Sequence, residues 1–179
     1  TFTAFGRYQR TFGKVRAEFQ ANFNYSKFNQ IIGDNRSTNE NFTQTYRPGI
    51  RTNFREAPNV SLRWAYTIQD VDQGARRNQI FTNAPQIDFD AYIWDALTLR
   101  TDYTYTSVDD GTNVNTFDIW NATLSYRKER TSKWEYEVRA TNLLNTQSRI
   151  NTNAGNISFS LQETFIQPRF ISFRVVYTL

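Results

Sequence analysis

Hydrophobic and polar positions alternate along most of this chain. In VRAEFQANFNY, Val15, Ala17, Phe19, Ala21, Phe23 and Tyr25 fall on one side of an extended backbone, and Arg16, Glu18, Gln20, Asn22 and Asn24 fall on the other. VSLRWAYTI repeats the pattern, with Val60, Leu62, Trp64, Tyr66 and Ile68 against Ser61, Arg63, Ala65 and Thr67. Successive side chains of a strand point to opposite faces, so a period of two predicts strands with one apolar face. Helical spacing fits neither segment. The same alternation predicts strands over residues 2–8, 42–54, 87–93, 97–105, 116–126, 134–140 and 169–179, about nine in all.

The connections between these strands carry the topology. Those around 10–13, 55–59, 94–96 and 127–133 are short, whereas those around 28–41, 69–86, 107–115 and 142–167 are longer and polar. If consecutive strands pair antiparallel, the short turns gather at one end of the sheet, the long connections at the other, and the C-terminus lies at the short-turn end. Register is legible as well. Ile93 and Leu97 must share the apolar face, so Trp94-Asp95-Ala96 reads as a three-residue hairpin loop, with Asp90 facing Arg100 on the polar side. Aromatic residues gather near strand ends: Phe54, Trp94, Tyr126, Trp134 and Tyr177 by the short turns, and Tyr25, Phe42, Tyr66, Phe89, Tyr105 and Trp120 toward the long connections. Strands of about ten residues cross a bilayer core at the tilt of a membrane barrel, and two aromatic bands are expected where amphipathic rings sit at both interfaces. Apolar residues facing inward, as in a soluble β-sandwich or a lipocalin-like binding barrel, would give the same alternation.

Composition narrows the chemistry. Aromatic residues make up 16% of the chain, and 15 Phe and 10 Tyr among abundant Thr and Asn favour strands over helices. Without Cys or His, the chain holds no zinc site of the usual ligands, no Cys nucleophile, no disulfide and no Ser-His-Asp triad. No enzyme, metal site or cofactor is therefore expected. The net charge of +4 comes from acids and bases mixed along the whole length, which argues against a nucleic-acid partner. No stretch approaches the run of about 20 apolar residues that a membrane helix needs. The chain lacks Met and opens directly in TFTAFGRY, which reads as a mature or excised piece of a longer protein.

Smaller constellations read as structure. Asp70-Val71-Asp72-Gln73-Gly74 faintly resembles a calcium loop but lacks the further acidic ligands and the distal Glu, so it reads as a solvated turn, as does Asp109-Asp110-Gly111. Asp88 with Asp90, and Glu135 with Glu137, share the polar face with basic neighbours and read as charge balance in a wet interior rather than as acid-base pairs.

From about Leu97 onward the chain resembles the C-terminal strands of TonB-dependent outer-membrane receptors, in the β-barrel branch related to SusC-like transporters. The stretches that carry the likeness are FDIWNATLSYR, WEYEVRATNLLN and ETFIQPRFISFRVVYTL. Asn142-Leu143-Leu144-Asn145 matches the NL(F/L)N element that follows the family's penultimate strand. Tyr177-Thr178-Leu179 matches the aromatic-x-aromatic ending, with Leu179 in place of the usual terminal Phe. The resemblance implies an all-β fold: the last nine or so strands of one antiparallel transmembrane β-barrel domain, with residues 1–179 all inside it, short periplasmic turns and long extracellular loops. It implies a barrel of about 22 strands with an N-terminal plug, in the outer membrane of a Gram-negative bacterium. The function it implies is uptake of a nutrient, with substrate met in the long loops by residues such as Arg76, Arg77, Phe81, Asn113 and Asn153. A passive porin, or a barrel serving an adhesin or secretion partner, is the alternative. The partners implied are membrane lipid, the remaining barrel and plug, a TonB-type energy-coupling complex, a surface lipoprotein, and the outer-membrane assembly machinery. That machinery would read the final strand through Phe173, Val175, Tyr177 and Leu179.

Overall fold

The period of two becomes one long antiparallel ladder. The computed structural model describes residues 1–32, 35–55, 58–74, 77–94, 96–129, 131–154 and 159–178. These form strands β1 (Phe2–Phe12), β2 (Val15–Ile32), β3 (Asn35–Thr52), β4 (Asn59–Asp72), β5 (Arg77–Ile93), β6 (Leu97–Asp109), β7 (Val114–Tyr126), β8 (Trp134–Thr141), β9 (Ser148–Ala154), β10 (Phe159–Phe165) and β11 (Phe170–Tyr177), with no helix among the described residues. Nine of them make one sheet in the order β1-β2-β3-β4-β5-β6-β7-β8-β11, and β9 pairs with β10 in a separate hairpin. The sheet is open, with β1 and β11 at its edges. Apart from an approach of β9 to β7, the main contacts are between strands that pair, so no second layer covers either face among the described residues.

The Trp94 turn follows the sequence closely, whereas the turn expected around 10–13 moves to 13–14 because β1 runs through Phe12. Ile93 pairs with Leu97, which leaves a three-residue loop of Trp94, Asp95 and Ala96; Asp95 itself lies outside the described residues. Trp94 adopts φ 53° and its carbonyl accepts from the Ala96 amide at 2.7 Å. Asp90 pairs with Arg100, and their side chains form an ion pair at 3.5 Å. Phe12 pairs with Val15, so the β1–β2 turn is the two residues Gly13-Lys14, and Gly13 at φ 59° supplies the positive dihedral such a tight hairpin needs.

The other end differs from the sequence-based expectation. The connection expected over 28–41 is mostly strand, because β2 and β3 remain paired from Val15↔Thr52 out to Ile32↔Asn35. The connection expected over 69–86 likewise holds the end of β4 and the start of β5, paired as far as Asp72↔Arg77. The stretch 142–167 contains the β9–β10 hairpin. These segments are mainly polar and scatter their few apolar residues over both faces, such as Val71 and Ile80 on one and Phe81 on the other, so they carry no sustained alternation, yet backbone pairing does not require it. One aromatic assignment changes in consequence: Phe89 pairs with Val60 near the short-turn end, because β5 begins at Arg77, well before the expected start of the strand at residue 87.

Two prolines sit inside strands. Pro48 and Pro85 fall in gaps of the β3–β4 and β5–β6 ladders respectively, where a residue without an N–H leaves the ladder interrupted. Pro85 lies opposite Trp64, and the β3–β4 register brings Pro48 opposite the same tryptophan from the other side.

Candidate functional site

The two faces of the sheet differ in both chemistry and exposure. Register places Phe19, Phe23 and Tyr25 of β2, Phe42, Tyr46 and Ile50 of β3, and Leu62, Trp64 and Ile68 of β4 on one face. Ile87 and Phe89 of β5, Tyr103 of β6, Trp120 and Leu124 of β7, Tyr136 and Val138 of β8, and Phe173 and Val175 of β11 continue it. This apolar face is open. Trp64, in the middle of the sheet, is 48% exposed, and Phe173 is 65% exposed. The deeply shielded cluster of Val71, Ile80 and Val108 stands instead on the opposite, polar face, toward the long-connection end, as does the buried Asn39. Ala91 is a small shielded residue on the apolar side.

Ion pairs divide in the same way. Arg7–Glu18 (3.3 Å), Arg16–Glu18 (4.0 Å), Arg63–Asp88 (2.7 Å), Arg100–Asp90 (3.5 Å), Arg174–Glu137 (3.0 Å) and Arg127–Glu135 lie on the polar face. The remaining two among the described residues, Lys27–Glu40 (2.5 Å) and Arg77–Asp70 (3.9 Å), share the parity of the apolar face but stand beyond its last hydrophobic pairs, Tyr25↔Phe42 and Ile68↔Phe81. No charged pair therefore interrupts the apolar band. Aromatic ladders cross it: Tyr126 stacks on Tyr136 and Tyr136 on Phe173, with ring centroids 6.5 and 6.4 Å apart, and Trp134 meets Tyr177 at 4.8 Å by the short turns. All four tryptophans belong to the apolar side or its rim, and Trp94 in its turn is 88% exposed.

At the opposite end, the Asn142–Asn145 element ties the last connection to the sheet. Asn142 is buried in a left-handed conformation, φ 52°. Its amide donates to the Asn121 side-chain carbonyl at 2.9 Å, its Nδ2 donates to the carbonyls of Thr146 and Gln167 at 2.9 Å each, and its Oδ1 accepts from the Thr146 amide at 2.9 Å. Leu143 donates its amide to the Trp120 carbonyl, and the Thr146 hydroxyl donates to the Asp118 carbonyl. The Asn142 side chain thus joins the two ends of the β9–β10 hairpin at Thr146 and Gln167, while the amides of Asn142 and Leu143 and the Thr146 hydroxyl tie this base to β7.

The residues expected to meet substrate do not form a cluster. Arg77 opens β5 and pairs with Asp70; Phe81 lies inside β5 on the apolar face, opposite Ile68, rather than in a loop. Asn113 sits in the β6–β7 turn, where its amide donates to Asp110 Oδ1 at 2.7 Å and its carbonyl accepts from the Asp110 amide. Asn153 belongs to β9, paired with Ser160, but its side chain lies outside the described residues, as does Arg76. Phe173, Val175 and Tyr177 share the exposed apolar face of β11; Leu179 lies outside the described residues. Asp72 and Asp109 cap their turns by accepting from the amides of Gly74 and Gly111, each at 2.8 Å. Alternation in the sequence already puts Arg16, Arg47, Arg51 and Arg63 on the polar face; what it does not show is that Arg16 and Arg51 stand directly opposite each other, which needs the register of the β2–β3 hairpin.

Compared with family models, with curated proteins and with solved structures, the chain matches none.

Proposed function

We propose that this chain forms the last nine strands of an outer-membrane β-barrel in a Gram-negative bacterium. The observation that carries the reading is the uncovered apolar face, which no ion pair interrupts. A soluble barrel or sandwich turns its apolar side chains inward, and exposed apolar patches of this extent are rare on soluble monomers. Lipid is the solvent that such a face suits. The dimension also fits: Val15 to Tyr25 is about 33 Å at roughly 3.3 Å per residue, and a tilt of about 40° reduces that to about 25 Å, the height of the apolar band of such barrels. Further strands, pairing with the free edges of β1 and β11, would close the cylinder and remove both edges.

Within that setting, the likeness of the last strands to TonB-dependent receptors supports a transporter that imports a nutrient too large or too scarce for passive pores. The polar face would line the lumen, the extended β2–β3, β4–β5 and β9–β10 hairpins would stand outside the cell, and a plug pulled by an energised inner-membrane complex would open the path. In this portion, Arg76, Arg77, Phe81, Asn113 and Asn153 would be the residues that meet substrate at or near the rim.

Fractionation of the intact protein tests the barrel: it is expected in the outer membrane, soluble only in detergent, with heat-modifiable migration on a gel. Growth of a deletion strain tests the transport. Loss of growth on one nutrient at limiting concentration, with recovery at excess, supports active import. Unchanged growth on scarce nutrients would leave a passive or anchoring barrel.

A further inference from the structure

Register separates the polar face into two electrostatic halves. Strands β1–β4 place Arg7, Arg16, Arg47, Arg51 and Arg63 there against a single acid, Glu18. From β5 onward Asp88, Asp90, Asp102, Glu135 and Glu137 slightly outnumber Arg100, Arg127, Arg139 and Arg174. Within the basic half, Arg16 and Arg51 are direct partners in the β2–β3 ladder, an opposition of like charges that weakens a sheet unless something compensates it. Glu18 compensates little, since it is shared between Arg7 and Arg16 at 3.3 and 4.0 Å. Arg51 makes no ion pair among the described residues. The Nε of Arg16 is shielded and has no hydrogen-bond partner. Both arginines, together with Ser61, Arg63, the apolar Ile50 and Leu62 and the one carboxylate Glu18, line a cavity of about 110 Å³, several times the roughly 10–15 Å³ that one water needs.

Arg16 Nη2 donates to Gln9 Oε1 and Arg63 to Asp88, which leaves Arg16 Nε and the Arg51 guanidinium as the free donors at the cavity among the described residues, and these suit an anion with several oxygens, which accepts from planar N–H forks in pairs. We propose that Arg16 and Arg51, flanked by Arg63 and Ser61, bind a multivalent oxyanion, the phosphate or polycarboxylate group of a solute held on the polar face. The site deepens the transporter reading and rests on it for the solute's route, whereas the binding chemistry stands on register and charge.

The test uses the intact protein in detergent micelles, titrated calorimetrically with inorganic phosphate and separately with citrate at constant ionic strength set with chloride. One of the two is expected to bind, the tighter naming the class, and Arg16→Gln and Arg51→Gln should each weaken it at least about tenfold. Arg174→Gln, which removes a guanidinium paired with Glu137 at the distant β8–β11 edge of the same face, should leave binding unchanged. The bound anion should also raise the melting temperature, and Arg51→Gln should abolish that rise while melting no lower than the parent without anion, since it relieves the opposition to Arg16. Binding of neither anion, or equal losses in Arg51→Gln and Arg174→Gln, would overturn the site. Anion binding that depends on Arg51 in a protein absent from the outer membrane would sink the transporter reading and leave the site standing. An outer-membrane protein that binds no anion would sink the site alone.

Discussion

Lys27 Nζ lies 2.5 Å from Glu40 Oε1, one step beyond the aromatic pair Tyr25 and Phe42 on the same face of the sheet. The apolar band therefore stops at two rings and is followed at once by an ion pair, the order expected where a strand leaves hydrocarbon for water. The hydrogen bond from the Lys27 ammonium holds the Glu40 carboxyl below the usual glutamate range, and the same bond raises Lys27 above the usual lysine value. A depressed acid contributes stability above its unfolded value and loses it as pH falls through the lower folded one. A raised base contributes below its unfolded value and loses it as pH rises through the higher folded one. The pair should thus persist from the acid edge of the carboxylate range to beyond the ordinary lysine range. Lys27→Gln is expected to move the Glu40 midpoint up toward an ordinary glutamate, followed by the carboxyl carbon in NMR; an unmoved midpoint would show that the two groups are not coupled.

Asn142 should be the most sensitive polar residue of the C-terminal third. Asn142→Ala removes three side-chain hydrogen bonds from a buried site and leaves a left-handed backbone that alanine tolerates poorly. The cost is on the order of 3 kcal/mol in urea unfolding of the intact protein in lipid vesicles. Amide exchange at Thr146 should accelerate with it. Wild-type stability in this variant would mean that the lock at the base of β9–β10 is dispensable.

Much of this was open to sequence reading, for a physical reason. Wherever one face is apolar, a one-residue slip exposes the whole face to the wrong solvent, so Ile93 and Leu97 fix the Trp94 loop and bring Asp90 onto Arg100. The outer parts of β2 and β3 offer no such constraint. Asn29, Thr38 and Asn41 are polar whichever way they point, so no apolar face fixes their register; the backbone ladder does, helped by the Thr38 hydroxyl, which donates to Asn29 Oδ1 across the strands at 2.8 Å. The same silence hid the β9–β10 hairpin. The substrate residues were less legible still: Phe81 reads as loop because Ile80 beside it breaks the alternation and the flanking residues are polar, yet it continues the apolar face of β5. Arg16 and Arg51 are 35 positions apart in the sequence and become partners only once the hairpin register is fixed.

On β11, Phe173→Asp would set a charge on the exposed apolar face. It should cost on the order of 2 kcal/mol, depending on depth in the bilayer. Ser172→Thr on the polar face should be silent. Deleting residues 177–179 should be worse than either, because it removes the Trp134–Tyr177 contact and the end of the β8–β11 ladder. The measurement is the amount of intact protein reaching the outer membrane; a normal level of the truncated protein would remove the assembly role assigned to this strand.

Residues 1–179 alone should not form a stable unit in aqueous buffer, because β1 and β11 present unpaired edges and the apolar face has no cover. Light scattering is expected to report large aggregates. A monodisperse folded monomer would argue for a soluble sheet.

The membrane reading turns most directly on β4, whose alternate residues must meet different solvents. The chain contains no Cys, so single cysteines can be placed at positions 62 to 67 of the intact protein and labelled in whole outer membranes with a lipid-soluble and a membrane-impermeant maleimide. Cysteines replacing Leu62, Trp64 and Tyr66 should take the lipid-soluble reagent and resist the other, and those replacing Arg63, Ala65 and Thr67 should show the reverse. Equal labelling at adjacent positions, or lipid labelling at 63, 65 and 67, would contradict a sheet that turns its apolar face to the bilayer.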